Sequence, residues 1–315
     1  MKVGELVERY LDYRRSLGAK FTCGAQQLRH IARLFGVSMD VGSLTKEDFW
    51  RAVLTDGHVT LTSINRKSSL AVFFRWCVAR GFLRDMPQLP DLPQNLHPRR
   101  PHIYSNDEIR RLLSANHKCL HPKSTVQVEC IHMIVLLTYT LGLRISETLS
   151  LTMGDIDTSS NVAKIRETKF YKTRVVPYNS YVANKLDGYM RWRVKNGMPV
   201  SPESHLFMNR AKDPLGYDVV KKTFYRLCDA AGIEKLDGGK RYPRIHDLRH
   251  TFAVQRLLAW YRKGRDVQAL LPKLSVYMGH SSIVGTTVYL SMTPDLLRES
   301  CRRFELYAEG GSSHE

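Results

Sequence analysis

A proline-rich segment is the feature that most constrains how this chain of 315 residues folds. Between Met86 and Pro101 the chain has five prolines, at positions 87, 90, 93, 98 and 101. Proline lacks a backbone N–H and has a fixed φ, so this stretch can be neither a helix nor a central strand. We therefore predict an extended, fairly stiff linker over residues 86–102, between a first domain (residues 1–85) and a second domain (residues 103–315).

The charge of both parts is strongly positive. The chain has 48 Lys and Arg against 30 Asp and Glu, a net charge of +18. Residues 1–100 hold 16 basic and 9 acidic side chains, and the rest of the chain holds 32 and 21. Two basic domains in one chain indicate a polyanion that is held along its length. A protein that is merely basic is the alternative that charge alone leaves open.

The six cysteines are scattered and form no Cys-x-x-Cys pair, which argues against a disulfide scaffold. The chain shows no signal peptide and no apolar run long enough to span a bilayer. We expect a cytoplasmic, nucleoid-associated protein without a membrane partner. One His/Cys group could supply metal ligands, but its spacing fits no common zinc pattern, so we predict no metal. Its members are His117, Cys119, His121, Cys130 and His132.

Apolar residues recur at helical spacing throughout the first part. The predicted helices cover Val3–Leu11, Leu28–Phe35, a segment opened by Thr45, and Ser63–Arg80. Asp48 stands where a capping box prefers Glu or Gln. The fourth helix carries Arg66, Lys67 and Arg75, which we interpret as a basic helix lying along DNA, with a solvated face as the alternative.

The second part mixes helices with two short strands. Ser105 is a predicted helix cap, and a long apolar helix is expected from about Val128 to Leu141. Further helices are predicted at Val219–Ala231, at Ile245–Tyr261, before Gly279, and from Thr286 to Leu290. Val162–Ile165 and Arg174–Pro177 are predicted as strands around a basic turn. Residues 310–315 are predicted to form a loose tail.

Two arginines stand in contexts suited to an anionic ligand. Arg144 follows a helix-ending glycine, and a guanidinium offers fixed donors to two phosphate oxygens. Glu147 lies one helical turn further on, where it either orients Arg144 or a nearby histidine, or forms a local ion pair. His246 and Arg249 are three residues apart and share a helix face. We expect a shared anion to explain that pair better than burial does, because both groups would need desolvation. The neighbouring His250 is interpreted as structural.

The remaining candidates lie in one turn and near the C-terminus. His280 follows Gly279 and can donate to a phosphate oxygen. Tyr289 is expected on the next helix. Lys169 lies in a turn between the strands, where nearby arginines would lower its pKa enough for it to protonate an alkoxide. Lys172 and Arg174 are alternatives in the same turn.

These segments resemble the tyrosine recombinase (phage integrase) family. The match rests on Leu141-Gly142-Leu143-Arg144-Ile145-Ser146-Glu147, Lys169-x-x-Lys172-x-Arg174-x-Val176-Pro177, His246-x-x-Arg249, and Gly279-His280 followed by Tyr289. It covers roughly residues 103–305, whereas residues 1–97 resemble the family's helical core-binding domain through helix pattern only. A long spacing between Arg249 and His280, with a basic insert around Trp260–Pro272, resembles recombinases of mobile elements.

The resemblance implies a mainly α fold with a small β-sheet, in which a helical core-binding domain precedes a mixed α+β catalytic domain. It implies a site-specific recombinase that cuts and rejoins DNA through a 3′-phosphotyrosyl intermediate, without a metal or a high-energy cofactor. Tyr289 would be the nucleophile, and Lys169 would protonate the leaving oxygen. Arg144, Arg249 and His280 would stabilise the transition state, and His246 would assist proton transfer.

Family members act as homotetramers on paired double-stranded DNA sites, and a C-terminal segment, here Leu296–Tyr307, passes to a neighbour or packs on its own subunit. The predicted DNA-binding residues are Arg66, Lys67, Arg75, Arg99, Arg100, Lys172 and Arg174. A type IB topoisomerase and a non-catalytic DNA-binding regulator are the alternative functions.

Overall fold

The computed structural model describes residues 1–18, 21–54, 57–93, 101–115, 124–166, 173–236, 241–280, 282–291, 296, 298–299 and 301–302. The chain forms two compact units, residues 1–99 and residues 100–315. Several sequence candidates lie outside the described residues: Arg99, Arg100, His117, Cys119, His121, Lys169, Lys172 and the tail 310–315. Within the described residues, no helix is both long enough and apolar enough to cross a membrane.

The first unit is helical. Its helices are α1 (Val3–Ser16), α2 (Thr22–Phe35), α3 (Lys46–Val53) and α4 (Leu61–Ala79), with a 3-10 turn at Val41–Ser43. Each helix turns an apolar stripe inward, and the stripes meet in one core. In that core the ring of Tyr10 packs edge-on against Phe73, and Phe49 packs edge-on against both Phe35 and Phe74. At the start of α3, Thr45 and Asp48 form a complete capping box, although Asp is the shorter acid.

The first half of the proline-rich segment lies on this unit. Leu92 is buried in the first unit's core, and Leu89 packs against the same cluster. Asp91 approaches Lys67 of α4 at 3.5 Å. Proline therefore excludes regular structure here, as the sequence predicts, while the leucines between the prolines still bury against α-helices of the first unit.

The second unit is built around one helix. Its elements are α5 (Asn106–Ser114), α6 (Val128–Thr140), α7 (Ile145–Ser150), a 3-10 turn at Met153–Asp155, β1 (Ile156–Asp157), β2 (Val162–Ile165), β3 (Arg174–Pro177), α8 (Ser180–Lys195), α9 (Tyr217–Ala230), α10 (Asp247–Arg262), α11 (Val267–Met278), α12 (Val284–Thr287) and a 3-10 turn at Val288–Ser291. Helix α6 is apolar on almost every side and contacts α5, α7, α8 and α10, as a central core helix does.

The three strands form an antiparallel sheet in the order β1-β2-β3. Ala163 pairs with Val176, and Ile165 pairs with Arg174, so the sheet buries Ala163, Ile165 and Val176 on one face. Strands β2 and β3 occupy the predicted ranges, and the mainly α fold with a small sheet is confirmed.

The segments around the predicted nucleophile differ from the sequence prediction. The sequence predicts a helix from Thr286 to Leu290, but α12 ends at Thr287 and a 3-10 turn follows it. The basic insert around Trp260–Pro272 is the end of α10, a turn at Gly264, and the first half of α11. A second core is formed by α10, α11 and the 3-10 turn at Val288–Ser291. It encloses Tyr289 and also Leu296, which is fully buried there.

Candidate active site

Arg144 lies at the junction of α6 and α7. Gly142 ends the preceding turn with φ of +60°, a conformation that suits glycine. Arg144 is then the N-cap of α7, and its backbone N–H donates to Glu147 at 2.9 Å. Its guanidinium donates to Glu147 Oε1 at 2.7 Å and to the Gly279 carbonyl at 2.7 Å. The side chain keeps 25% of its surface exposed, so it is fixed but still reachable by a ligand.

Glu147 links two arginines. Both of its carboxylate oxygens also accept hydrogen bonds from Arg174, at 3.0 and 2.8 Å. Burial alone would raise the pKa of this carboxyl group, but hydrogen bonds and charge from Arg174 and Arg144 outweigh burial and lower the pKa to about 2. Glu147 therefore forms the local ion pair with Arg144, a contact that also fixes the direction of that guanidinium, and the same carboxylate holds Arg174.

Arg174, which the sequence analysis names both as the start of a strand and among the candidates of the preceding turn, belongs to the strand. It is the first residue of β3, and its side chain is only 13% exposed. The sequence does not predict the burial of this side chain, because the apolar pattern of a strand does not show which way its first residue points. Its guanidinium lies against Gly279, where a side-chain Cβ would approach Arg174 Nη1 to 2.8 Å and Arg144 Nη1 to 3.4 Å. Gly279 has φ of +67°, so this position requires glycine both for the left-handed backbone conformation and for the absence of a Cβ.

Arg249 is buried, contrary to the expectation from its spacing to His246. It lies in the first turn of α10 with 1% of its surface exposed. Its guanidinium donates to the Gly142 carbonyl at 2.7 Å and to the Met278 carbonyl at 2.6 Å, and it lies 3.8 Å from Glu147. These acceptors compensate for desolvation. Burial, followed by the charge of Arg144, lowers the pKa of Arg249 to about 10, so it remains a cation at neutral pH.

Three histidines lie near the arginines, and all three are uncharged at neutral pH. Burial is the main cause that lowers the pKa of His246, His250 and His280 to about 4, and nearby cations add to it. His280 Nδ1 lies 2.7 Å from the hydroxyl of the buried Thr286. If that hydroxyl donates, the neutral ring carries its proton on Nε2, which is then a donor for an anionic oxygen.

The Tyr289 hydroxyl contacts a histidine to which the sequence interpretation gave only a structural role. Tyr289 is 3% exposed in the 3-10 turn, and its hydroxyl lies 3.1 Å from His250 Nδ1. Its ring is near-parallel to that of His280, with centroids 6.2 Å apart. Burial raises the pKa of Tyr289, and the charges of Arg249 and Arg144 oppose that rise. The interpretation that His250 points away from its neighbour His246 was wrong, because residues four apart on a helix share a face, and the two rings pack edge to face.

The site as a whole is cationic. Three guanidiniums surround one carboxylate, which leaves two positive charges without a partner among these four groups. A buried phenol and three neutral imidazoles lie beside them. Fixed donors and cations of this kind stabilise a phosphate that gains charge during reaction. Among the described residues, no group of three or more His, Cys, Asp or Glu could hold a metal ion.

The predicted DNA-binding residues of the first unit lie on α4. Arg75 is exposed, while Arg66 and Lys67 are partly buried. Nine residues separate Arg66 from Arg75, which places them about 180° apart around the helix. One face of α4 therefore cannot present all three cations.

Comparisons with known proteins identify the family of this chain. The model of the phage integrase family matches residues 103–295. Two integrase/recombinases of Sinorhizobium fredii, y4rE and y4rB, are 30% and 29% identical, and the matches cover 99% and 96% of this chain and 98% and 96% of theirs.

Solved structures show the same fold. The integrase of transposon Tn1549 in complex with a circular intermediate DNA superposes with a TM-score of 0.70 at 20% identity, covering 96% of this chain and 99% of the other. A lambda integrase dimer bound to a COC′ core site gives a TM-score of 0.61 at 16% identity, covering 92% of this chain and 77% of the other. On the strength of the family match and the relatives that align over nearly its whole length, the chain belongs to the phage integrase family of tyrosine site-specific recombinases.

Proposed function

We propose that this recombinase cuts and rejoins double-stranded DNA at specific sites, with Tyr289 as the nucleophile. The phenolic oxygen attacks a backbone phosphorus, a 3′-phosphotyrosyl bond forms, and the bond to the 5′ oxygen breaks. The 5′ oxygen leaves with a proton as a free hydroxyl group. The same steps in reverse, with a 5′ hydroxyl from another strand, complete the exchange. The phosphotyrosyl bond conserves the energy of the broken one, so no high-energy cofactor is required.

The observation that carries this proposal is the convergence of three guanidiniums beside a buried tyrosine hydroxyl. Arg144 and Arg249 would hold the non-bridging oxygens of the phosphate, and His280 would donate from Nε2. Arg174 would act as a positioning residue through Glu147, because both arginines bind the same carboxylate. Positive side chains would then neutralise the transition state, a role that a metal ion plays in other phosphoryl-transfer enzymes.

Two further roles concern protons. The phenolic proton would leave through the histidine pair of α10, His246 and His250, whose rings pack edge to face with centroids 5.0 Å apart. Lys169 remains the proposed acid for the leaving oxygen on the strength of its sequence context, since it lies outside the described residues. Lys172 is retained as a DNA contact on the same basis, as are Arg99 and Arg100.

The partner we propose is duplex DNA, bound by a core-binding unit (the first) and by a catalytic unit (the second). The solved relatives bound to DNA, the Tn1549 and lambda integrases, support this partner. On α4 we retain Lys67 and Arg75 as contacts on one side of the helix, with Arg66 on another. Because two duplexes present four strands and each tyrosine cuts one, exchange requires four protomers on paired sites. Such an enzyme would act at the nucleoid.

A mobile element is the proposed genetic setting. The transposon integrase among the structural relatives and the integrase/recombinases among the sequence relatives support it. Inverted repeats or an element boundary in the DNA that flanks the gene would support the proposal, and a setting in which the enzyme maintains the chromosome would contradict it.

The test is capture of the covalent intermediate. Incubation with a nicked duplex that carries the target site should leave the chain covalently joined to the 3′ end of the cut strand. Tyr289→Phe should abolish the adduct while it leaves DNA binding intact. An adduct that persists in Tyr289→Phe would refute the nucleophile, and the absence of an adduct with the parent protein would favour a non-catalytic DNA-binding regulator.

Two controls separate the remaining alternatives. Efficient relaxation of a supercoiled plasmid that lacks target sites would favour a type IB topoisomerase. Adduct formation should also survive a chelator such as EDTA. Loss of the adduct in EDTA, with recovery on addition of magnesium, would contradict the role proposed for the guanidiniums.

A further inference from the structure

The hydroxyl of Tyr289 has a specific nitrogen partner. His250 Nδ1 lies 3.1 Å from it, within the range over which a general base takes a proton directly. The two rings are tilted by 54°, with centroids 5.5 Å apart, so the imidazole meets the hydroxyl with its edge rather than stacking on the phenol. This contact joins the nucleophilic atom itself to a titratable group.

The other two histidines are placed differently. His280 has its Nδ1 engaged by Thr286, and its ring lies nearly parallel to that of Tyr289, at an interplanar angle of 25°. A stacked ring presents its face, which cannot accept the phenolic proton. His246 packs edge to face against His250, so it lies one ring further from the hydroxyl.

His250 is uncharged, and in the tautomer that carries its proton on Nε2 the Nδ1 atom can accept the phenolic proton. Its pKa is lowered to about 4, mainly by burial, so the ring is neutral at physiological pH. The charged and titratable groups that act on it are Asp247, Arg244, Arg249 and His280, together with the His246 ring and the Tyr289 phenol. A phosphodiester entering the site would add a negative charge, which favours the protonated imidazole. Substrate binding would thus make His250 a stronger base at the moment when it is needed.

We propose that His250 is the general base of the strand-cleavage step, an assignment that rests on the function proposed above. As the bond between Tyr289 oxygen and phosphorus forms, the phenolic proton moves to His250 Nδ1. The bond from phosphorus to the 5′ oxygen breaks, and that oxygen takes its proton from a separate acid. In the resealing step the protonated His250 returns its proton to the departing tyrosine oxygen.

The first experiment removes the base but keeps the hydrogen bond. His250→Asn places an amide near the former Nδ1 and cannot accept a proton. We expect its single-turnover rate of adduct formation on nicked DNA at pH 7 to fall by about 100-fold or more, the range for loss of a general base. DNA affinity and the thermal unfolding temperature should stay close to those of the parent. His205→Asn in the same unit, at a histidine that pairs through its backbone with Thr152, is the matched control.

The pH dependence distinguishes a base from a structural residue. Without His250, hydroxide must ionise the phenol, so the rate of His250→Asn should rise by about tenfold per pH unit from pH 7 to pH 9. The parent should change much less over this range, because neutral His250 already accepts the proton. Parallel pH profiles for parent and variant would overturn the assignment, as would an unchanged rate at pH 7.

A changed leaving group distinguishes a residue that takes the proton from Tyr289 from one that protonates the leaving oxygen. A DNA strand with sulfur in place of the bridging 5′ oxygen releases a thiolate that needs no protonation. We expect His250→Asn to remain slow on this substrate. If the sulfur substrate restored the rate of His250→Asn to that of the parent, His250 would instead be the acid that protonates the leaving oxygen. Failure of the parent protein to form any adduct would refute the proposed function itself, and the Tyr289→Phe variant tests the nucleophile separately.

Discussion

At the scale of single residues, Glu147 has the most connections in the site. It is 6% exposed and accepts hydrogen bonds from the side chains of Arg144 and Arg174 and from the Arg144 backbone. Without its charge, three guanidiniums would lie close together in a partly desolvated site. The carboxylate therefore holds the cations in place when no phosphate is bound.

We predict that Glu147→Gln lowers the free energy of unfolding by about 3–5 kcal/mol, the usual cost of removing one partner from a buried ion pair. Urea denaturation at pH 7 measures the change. Glu203→Gln, at an exposed glutamate of the same unit, is the control and should have little effect. A loss below about 1 kcal/mol for Glu147→Gln would show that the arginines do not depend on this carboxylate.

The three histidines predict how stability varies with pH. Their pKa values are about 4 in the folded chain against an ordinary value of 6.5, so between these values the unfolded chain binds protons that the folded chain does not. Stability is therefore full above about pH 6.5 and should fall as the pH drops toward 4. Urea denaturation at several pH values tests this. His250→Asn should show a shallower fall, and an identical slope would contradict the burial of that histidine.

The residue types of the site could be predicted from the sequence, but their contacts could not. Arg249 depends on carbonyls at Gly142 and Met278, which are 107 and 29 residues away along the chain. Such contacts leave no local pattern, so its burial was not foreseen. His250 is different, because its four-residue spacing from His246 was visible in the sequence and gave a signal that was misinterpreted.

At the scale of elements, the turn between α6 and α7 positions two arginines together. Gly142 gives the chain its left-handed turn ahead of Arg144, and its carbonyl accepts from Arg249. A Cβ at this position would lie 2.4 Å from the ring of Phe252 on α10. The close approach of α6 and α10 therefore requires glycine here.

We predict that Gly142→Ala destabilises the chain by about 1–3 kcal/mol through backbone strain and displacement of Phe252, and slows adduct formation because the carbonyl that holds Arg249 moves. Gly188→Ala is a matched control, since Gly188 lies within α8 and a Cβ there meets nothing within 4 Å. Alanine in that helix should be neutral or stabilise by about 0.5–1 kcal/mol. Thermal unfolding and single-turnover cleavage measure both effects, and equal behaviour of the two variants would contradict the prediction.

Most elements with a clear apolar period were predicted to within a few residues, and α8 shows why one was missed. The buried positions of α8 are Val182, Leu186, Tyr189 and Arg193. The last of these is a fully buried arginine that donates to the carbonyls of Leu206 and Pro199 at 2.6 and 2.5 Å. A charged residue at a core position breaks the apolar stripe on which prediction from sequence depends.

At the scale of the whole molecule, the positive charge of both units should govern DNA affinity. Each phosphate that a cation neutralises releases a condensed counterion, so the logarithm of the affinity falls linearly with the logarithm of the salt concentration. This dependence is shared among all contacting cations, and removal of one contact reduces the slope without abolishing binding.

We predict that Arg75→Gln on α4 reduces the slope of this dependence by about 0.9, the value for one phosphate contact on duplex DNA. Fluorescence anisotropy with a labelled duplex over a series of NaCl concentrations measures the slope. Arg51→Gln is the control, because Arg51 on α3 already pairs with Asp48. If the slope for Arg75→Gln equals that of the parent, Arg75 contacts no phosphate, and the side of α4 that carries it is not part of the proposed DNA interface.

The C-terminal end of α11 couples the positions of two cations. The Met278 carbonyl accepts a hydrogen bond from Arg249, and the next carbonyl, at Gly279, accepts one from Arg144. A displacement of this last turn would therefore move one acceptor of each arginine at the same time. Each arginine also keeps an anchor outside α11, Arg144 at Glu147 and Arg249 at a second backbone carbonyl, so the end of the helix adjusts the spacing of the pair rather than releasing it.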